Sequence, residues 1–218
     1  FAQQYDFYLY LQPCGLDSIT PLYPDDLTLH SLQYALPQEA VSFQFAPFDF
    51  IQVNAEMNQR MVAQAMQWLA VETQDNVLDL FCGLGNFTLP LAKRAAQVTG
   101  VEGEATLVAR ARANAERQGF QQIVYHVANL ATENLQHAWM QSRYDKVLLD
   151  PPRTGALEIL RALPLKHTQR IVYVSCNPAT LARDAAELVK KGFRLVQAGA
   201  MDMFPHTAHV EAMALFER

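Results

Sequence analysis

The 218-residue sequence predicts an α/β protein: a Rossmann-like, mostly parallel sheet with helices on both faces, preceded by a small antiparallel β subdomain. Three observations predict it. From about residue 55 onward, short apolar runs alternate with amphipathic stretches of helical length. Glycines fall where such elements should turn or stop, at Gly83, Gly85, Gly119 and Gly192. Residues 1–48 look different, with short segments punctuated by Pro13, Gly15, Pro21, Pro24 and Pro37. Two domains follow from this, 1–48 and 49–218.

In the first domain, alternation across Tyr5–Gln12 predicts a strand with Phe7, Leu9 and Leu11 on one face. Leu27–Leu36 and Val41–Phe45 read as further short strands. In the second, Met57–Leu69 is an amphipathic helix. Val77–Phe81 is a buried strand, followed by a glycine turn and a helix through Arg94. Val98–Glu102 is a strand and Ala105–Gln118 a helix that ends at Gly119. Ile123–Val127 is a strand, a helix is expected near 132–141, and Lys146–Leu149 and Ile171–Val174 are strands. Pro178–Lys191 is a helix closed by Gly192, and Phe193–Met201 and Glu211–Phe216 are the last two strands. No internal repeat interrupts the series.

Composition narrows the function classes. Half of the residues are hydrophobic, yet no apolar run approaches the roughly 20 residues that span a membrane. No charged-then-apolar leader opens the chain; it begins with Phe1, as a processed or truncated piece would. The three cysteines, Cys14, Cys82 and Cys176, form no CxxC pair, which argues against a disulfide framework or zinc knuckle and for a reducing, cytoplasmic setting. The net charge of -5 is unusual for a free-standing nucleic-acid binder. Two basic clusters, Arg110/Arg112/Arg117 and Arg153/Arg161/Lys166/His167/Arg170, soften that objection.

In a sheet of this kind ligands sit beyond the carboxyl ends of the strands, so residues just after strands are the candidates. Asp79–Phe87 ends the first strand of the second domain, and Gly83 and Gly85 permit a tight turn and a close ligand approach. Glu102 lies 19 residues past Gly83, where a carboxylate can accept hydrogen bonds from a ribose diol. A nicotinamide site would carry GxGxxG, but the third glycine position is Thr88. A nucleoside without a pyrophosphate fits better. S-adenosylmethionine (SAM) is such a molecule, which makes the expected fold the class I SAM-dependent methyltransferase kind. Cys82 reads as a small buried residue in the turn.

Asp150-Pro-Pro-Arg-Thr-Gly155 follows the fourth strand and makes a stiff ledge. Amine methyltransferases place Asn-Pro-Pro-aromatic there; here Asp150 offers an acceptor suited to the N3–H of a uracil or to the cofactor, and Arg153 suits a phosphate. In Val174–Asp184, Asn177 fits a helix N-cap and Pro178 the first helical position, which sets Cys176 at a helix N-terminus whose dipole favours a thiolate. Glu211 shares a face with His209, Met213 and Leu215 by alternation, and a carboxylate among Met and Leu should have a raised pKa suited to proton transfer. His206, His209 and Glu211 lack the HExxH spacing, and no metal is expected. Addition of a thiolate to carbon 6 of uracil activates carbon 5 toward a sulfonium methyl, and a base then removes the carbon 5 proton; thiol, methyl donor and base are all on offer.

At these motifs the chain resembles the RNA (uracil-5)-methyltransferase family, and within it the ribosomal-RNA branch. The likeness runs from about Phe43 to Phe216 and includes Phe48–Asn54, similar to a family segment that touches both cofactor and base. It implies SAM contacts at Gln52, Phe81, Gly83, Gly85, Asn86, Glu102, Asn129 and Asp150, and substrate contacts at Phe50 and Arg153. It implies Cys176 as nucleophile and Glu211 as base, with Asp150 beside them in catalysis. The expected partner is RNA, ribosomal RNA before transfer RNA, with no membrane and a monomeric state. Full-length relatives carry an N-terminal oligonucleotide-binding barrel and a four-cysteine site for a 4Fe-4S cluster. Neither is in this sequence, which is expected to be the catalytic portion, and a missing barrel would account for the acidic charge. Two rivals keep the fold but change the role: an amine methyltransferase, against which Asp150 and Cys176 count, and a non-catalytic RNA-binding module, against which Cys176 and Glu211 count.

Overall fold

The computed structural model describes residues 1–15, 18–24, 32–132 and 136–218. The chain divides into two units, Phe1–Ile51 and Gln52–Arg218. The division falls slightly beyond the expected one, so Phe50 lies in the first unit and Gln52 opens the second.

The first unit holds a short helix α1 (Ala2–Tyr5) and two separate antiparallel hairpin-like pairs: β1 (Leu9–Leu11) with β2 (Thr20–Tyr23), and β3 (Leu32–Leu36) with β4 (Val41–Phe45). The strand expected over Tyr5–Gln12 is thus only Leu9–Leu11, because Tyr5 N–H and Phe7 N–H turn back to the carbonyls of Phe1 and Ala2. Much of the strand expected to begin at Leu27 lies outside the described residues. Tyr34 and Phe43 are cross-strand partners whose rings stack at 4.7 Å, the usual unit of sheet stabilisation.

The second unit begins with α2 (Ala55–Leu69), capped by Asn54, whose Oδ1 accepts from Met57 N–H at 3.1 Å. Then come β5 (Asn76–Leu80), α3 (Thr88–Ala92), β6 (Gln97–Glu102), α4 (Ala105–Arg117), β7 (Ile123–Val127) and β8 (Lys146–Leu149). They are followed by α5 (Leu157–Ala162), β9 (Arg170–Ser175), α6 (Pro178–Lys190), β10 (Arg194–Met201) and β11 (Glu211–Glu217). Two departures from expectation stand out. In place of a helix near 132–141, the described part of that stretch forms a 3-10 turn at Ala138–Gln141. The helix α5 carries no cap signal in the sequence and was not expected.

The seven strands of the unit form one sheet in the order β10-β11-β9-β8-β5-β6-β7. β5 to β9 run parallel; β11 is antiparallel to both β9 and β10. Strands β5, β8 and β9 are buried on both faces, which is why they read as continuous apolar runs. The chain builds outward from β5 to β7, then returns to the other side of β5 to lay down β8 and β9. The point where that order reverses, between β5 and β8, is where open α/β sheets form a ligand crevice at the carboxyl ends of the strands. Among the described residues no helix is long and apolar enough to cross a membrane.

Candidate active site

The loop after β5 is built by backbone that only a few residues tolerate. Gly83 and Gly85 have positive φ (53° and 93°), and between β5 and Gly83 the non-glycine Phe81 also stands at φ 62°. Phe81 packs against the core and keeps part of its surface open. A phenylalanine held in the left-handed region marks a site that over-determines its conformation.

Glu102, at the end of β6, holds this loop. Its Oε2 accepts from Gly83 N–H at 3.1 Å, and its Oε1 accepts from Gly103 and Glu104 N–H at 2.7 and 3.1 Å. A carboxylate offers about four lone-pair sites, so Glu102 is partly committed to the backbone and keeps about one for a ligand donor. Asn86 is likewise engaged: its amide exchanges reciprocal hydrogen bonds with Asn58 of α2 at 3.0 and 2.9 Å. Asn129 is exposed after β7, and its Oδ1 accepts from Ala131 N–H at 3.0 Å, forming a local turn.

Among the described residues, the buried oxygens without a partner include Asp79 Oδ1 at the end of β5, Tyr125 Oη beside Gly85, and Gln52 Oε1 at the start of the second unit. Asp79 is fully buried, and its other oxygen accepts from Thr88 Oγ1 at 2.5 Å. Burial is the main force on its carboxyl and, with the negative charge of Glu102, pushes it up to about 7 against the Thr88 hydrogen bond. Unpartnered buried acceptors are rare in folded proteins and fit a ligand that brings donors.

Asp150 follows β8. Burial first, then the charges of Glu211 and Asp79, push its carboxyl up to about 7. The ledge after it is pinned to α6 from several sides. Asp184 of α6 is wholly buried; its Oδ2 accepts from Ala156 N–H and from Tyr173 Oη, both at 2.6 Å. Arg183 donates to Thr154 carbonyl at 2.8 Å, and Asn177 Nδ2 donates to Arg153 carbonyl at 3.2 Å. Gly155 (φ 81°) must be glycine here, since a Cβ would stand 2.5 Å from Asp184 Oδ2.

Cys176 follows β9 and is half-buried. Asn177 caps α6 by accepting from Ala179 N–H at 3.1 Å, and Pro178 is its first helical residue. The register pairs Ala212 of β11 with Ser175 of β9, so Glu211 and Cys176 are the next positions outward on neighbouring strands. Glu211 is buried, and that burial raises its carboxyl above the ordinary value while Arg153 pulls it back. The thiol departs from expectation. Burial raises it, the charges of Glu211 and Asp150 raise it further, and Arg153 only partly offsets them. The helix end alone does not set its ionisation, because two carboxylates share the same edge.

The geometry places three more of the expected residues. His209 is not on the strand face with Met213; β11 starts at Glu211, and His209 sits in the preceding loop. Arg153 is exposed, and its guanidinium donates to His209 Nδ1 at 2.8 Å. Phe50 is 71% exposed in the first unit. The carboxyl ends of β5, β6, β8 and β9 and the amino end of the antiparallel β11 therefore bring together Phe81, Gly83, Gly85, Asn86, Glu102, Asp150, Cys176 and Glu211 on one edge of the sheet.

Asn58 and Asp184 were missed as site-building residues. Each had a readable signal. Asn58 lies on the buried stripe of α2 with Met61, Val62, Ala65, Met66 and Leu69, and Asp184 on that of α6 with Leu181 and Leu188. A polar residue inside an apolar helical stripe must be hydrogen-bonded, and here each bonds toward the site.

A family model for tRNA (Uracil-5-)-methyltransferase matches residues 30–218. A protein of Xanthomonas euvesicatoria pv. vesicatoria named 23S rRNA (uracil(1939)-C(5))-methyltransferase RlmD is 57% identical over the whole of this chain, which covers 49% of that protein. Its namesake in Stenotrophomonas maltophilia is 54% identical with the same coverage. The chain thus spans about half the length of the curated relatives it matches. Among solved structures, the tRNA (uracil-54, C5)-methyltransferase of Pyrococcus abyssi in complex with S-adenosyl-L-homocysteine is 32% identical with a TM-score of 0.72, over 85% of this chain and 44% of that one. A precorrin 8w decarboxylase from Methanobacterium thermoautotrophicum, 17% identical with a TM-score of 0.60 over 81% of this chain and 96% of its own, shares the fold alone. With a family match from residue 30 to the last residue and whole-chain identity above one half to its curated relatives, this chain belongs to the tRNA (Uracil-5-)-methyltransferase family.

Proposed function

We propose that the chain carries the catalytic part of a SAM-dependent RNA methyltransferase that modifies carbon 5 of uracil, with uracil 1939 of 23S ribosomal RNA as its target. The observation that carries the chemistry is the adjacency of Cys176, just after β9, and Glu211, the first residue of β11, at the ligand edge of the sheet. The names of the two curated relatives described above support the ribosomal target. A transfer-RNA target is the second reading, favoured by the name of the Pyrococcus abyssi protein and of the family itself.

The residues present fit the cofactor. Buried carboxylates and unpartnered acceptors at Asp79 and Gln52 suit a cationic, donor-rich nucleoside, and Phe81, the Gly83–Gly85 turn, Asn86, Glu102, Asn129 and Asp150 surround the same edge. When bound, SAM supplies an electrophilic methyl group. Cys176 adds its thiolate to carbon 6 of the uracil, so that the S–C6 bond forms and the ring π electrons move toward O4 as an enolate. Carbon 5 then takes the methyl group with the enolate's electron pair, and the methyl–sulfonium bond breaks to leave S-adenosylhomocysteine. Glu211 removes the carbon 5 proton, and the released pair re-forms the C5–C6 double bond and expels Cys176 as thiolate. Asp150 meets the uracil N3–H or the cofactor, and Phe50 and Arg153 contact the RNA. A reducing, cytoplasmic setting keeps the thiol free for this role.

The experiment separates the two steps in the full-length protein. Cys176→Ala should yield neither methylated RNA nor a covalent adduct. Glu211→Gln should transfer the methyl group and then stall, leaving methylated RNA attached to protein on a denaturing gel. Adduct formation by Cys176→Ala would overturn the nucleophile assignment, and free turnover by Glu211→Gln would overturn the base. Running ribosomal and transfer RNA fragments side by side decides between the targets.

A further inference from the structure

We propose that His209 is a positioning residue that holds the Arg153 guanidinium beside the Cys176–Glu211 pair. The proposal rests on the reading of those two residues as nucleophile and base. Its grounds are geometric. The backbone of Arg153 is tied to the nucleophile's neighbour, since Asn177 Nδ2 donates to the Arg153 carbonyl at 3.2 Å. The side chain of Arg153 is tied to the base's neighbourhood, since its guanidinium donates to His209 Nδ1 at 2.8 Å, two residues before Glu211. Arg153 thus bridges the two segments that carry the reacting groups.

The bond also constrains the tautomer of the histidine. Arginine only donates, so Nδ1 must be the acceptor and the ring proton sits on Nε2. The ring itself is held in place: Phe204 meets it edge-on at 6.0 Å, and Thr207 Oγ1 accepts from His209 N–H at 3.1 Å while donating to the Phe204 carbonyl at 2.8 Å.

What Arg153 does from that position follows from the charges around it. Cys176 faces the carboxylates of Glu211 and Asp150, and both oppose a thiolate. Arg153 is the cation that acts on both members of the pair, favouring the thiolate of Cys176 and the carboxylate of Glu211. A long exposed side chain samples many rotamers unless something holds it, and in this structure His209 does. The inference therefore assigns His209 a role through Arg153, without contact to the reacting atoms.

The test reads the thiol directly. Full-length protein would be treated with iodoacetamide across a pH series, and alkylation of the Cys176 peptide followed by mass spectrometry. Arg153→Ala should slow alkylation near neutral pH by about threefold to tenfold, because one unit of thiol pKa is a tenfold change in thiolate fraction. His209→Ala should move the profile in the same direction, and His209→Gln, which keeps a neutral acceptor, should restore it. His209→Ala profiles that superimpose on the unmutated protein would overturn the proposal, as would an Arg153→Ala variant with no shift. Because the readout needs no RNA, a shifted thiol in a protein that never methylates uracil would refute the proposed function and leave the positioning role standing. Methylation with an unmoved thiol would do the reverse.

Discussion

Replacing Asp184 by alanine should destabilise the second unit far more than its place on a helix suggests. The side chain is wholly buried and serves two buried donors through one oxygen, Ala156 N–H and Tyr173 Oη, each at 2.6 Å. Its other oxygen accepts from Arg183 Nε at 2.8 Å. Arg183 is 43% exposed and regains water when the carboxylate goes, so its loss costs little. The two buried donors do not, and each unsatisfied group costs about 1–3 kcal/mol, which gives a total of about 3–5 kcal/mol with the removed charge. Urea denaturation of this chain would measure it. A double cycle with Tyr173→Phe sharpens the reasoning: deleting the stranded hydroxyl should recover about 1 kcal/mol or more of the loss, because nothing is then left unpaired at that position. A loss below about 1 kcal/mol for Asp184→Ala, or additive effects in the cycle, would refute the account. Since Asp184 also pins the Asp150–Ala156 ledge, catalytic activity should fall even in conditions where the variant remains folded.

Two further predictions concern the site itself. Glu102→Ala should weaken SAM binding by about tenfold or more, since it removes both an acceptor and the anchor of Gly83 N–H; calorimetry showing an unchanged Kd would take Glu102 out of the cofactor site. Asp150→Asn should change the pH dependence of stability. The Asp150 carboxyl is raised from 3.8 to about 7 in the folded chain, so between those values the folded state keeps a proton that the unfolded state releases. Stability from this group therefore declines as pH rises through that window. The asparagine variant should gain in denaturation midpoint relative to the parent at about pH 8 and lose that gain near pH 4. An equal gain at both values would show that Asp150 does not titrate in that window.

The sheet of the second unit was legible because its strands are buried on both faces and its long helices carry clear stripes; β5 to β9, α2, α4 and α6 fall where the apolar runs place them. What failed was short or context-made. Helix α5 spans too few residues to show a period, and its first backbone donors depend on Asp184, far along the chain. Strand β2 contains Pro21, which argued for a break; in a two-stranded sheet it is tolerated at an edge. The identity of Cys176 and Glu211 as neighbours could not be read from spacing, since it depends on β11 entering between β9 and β10. The same holds for the commitments of Glu102 and Asn86, whose partners are fixed by loop geometry and by α2, and for the raised thiol, which needs the two carboxylates to be seen beside it.

The insertion of β11 between two earlier strands has a consequence for how the protein is made. Synthesis runs from Cys176 toward Glu211, so the ribosome delivers the thiol while the strand that begins with Glu211 is still inside the exit tunnel. During that interval β9 presents an open, apolar edge, with β10 already synthesised but lacking the strand that joins it to the rest of the sheet. An unpaired apolar edge is a template for wrong pairing, and a nascent chain in this state is a client for whatever shields such edges in the cell. The same order leaves the site incomplete during assembly: until β11 pairs with β9, Cys176 lacks its neighbouring carboxylate from Glu211, and the pair comes into being in a single closing event.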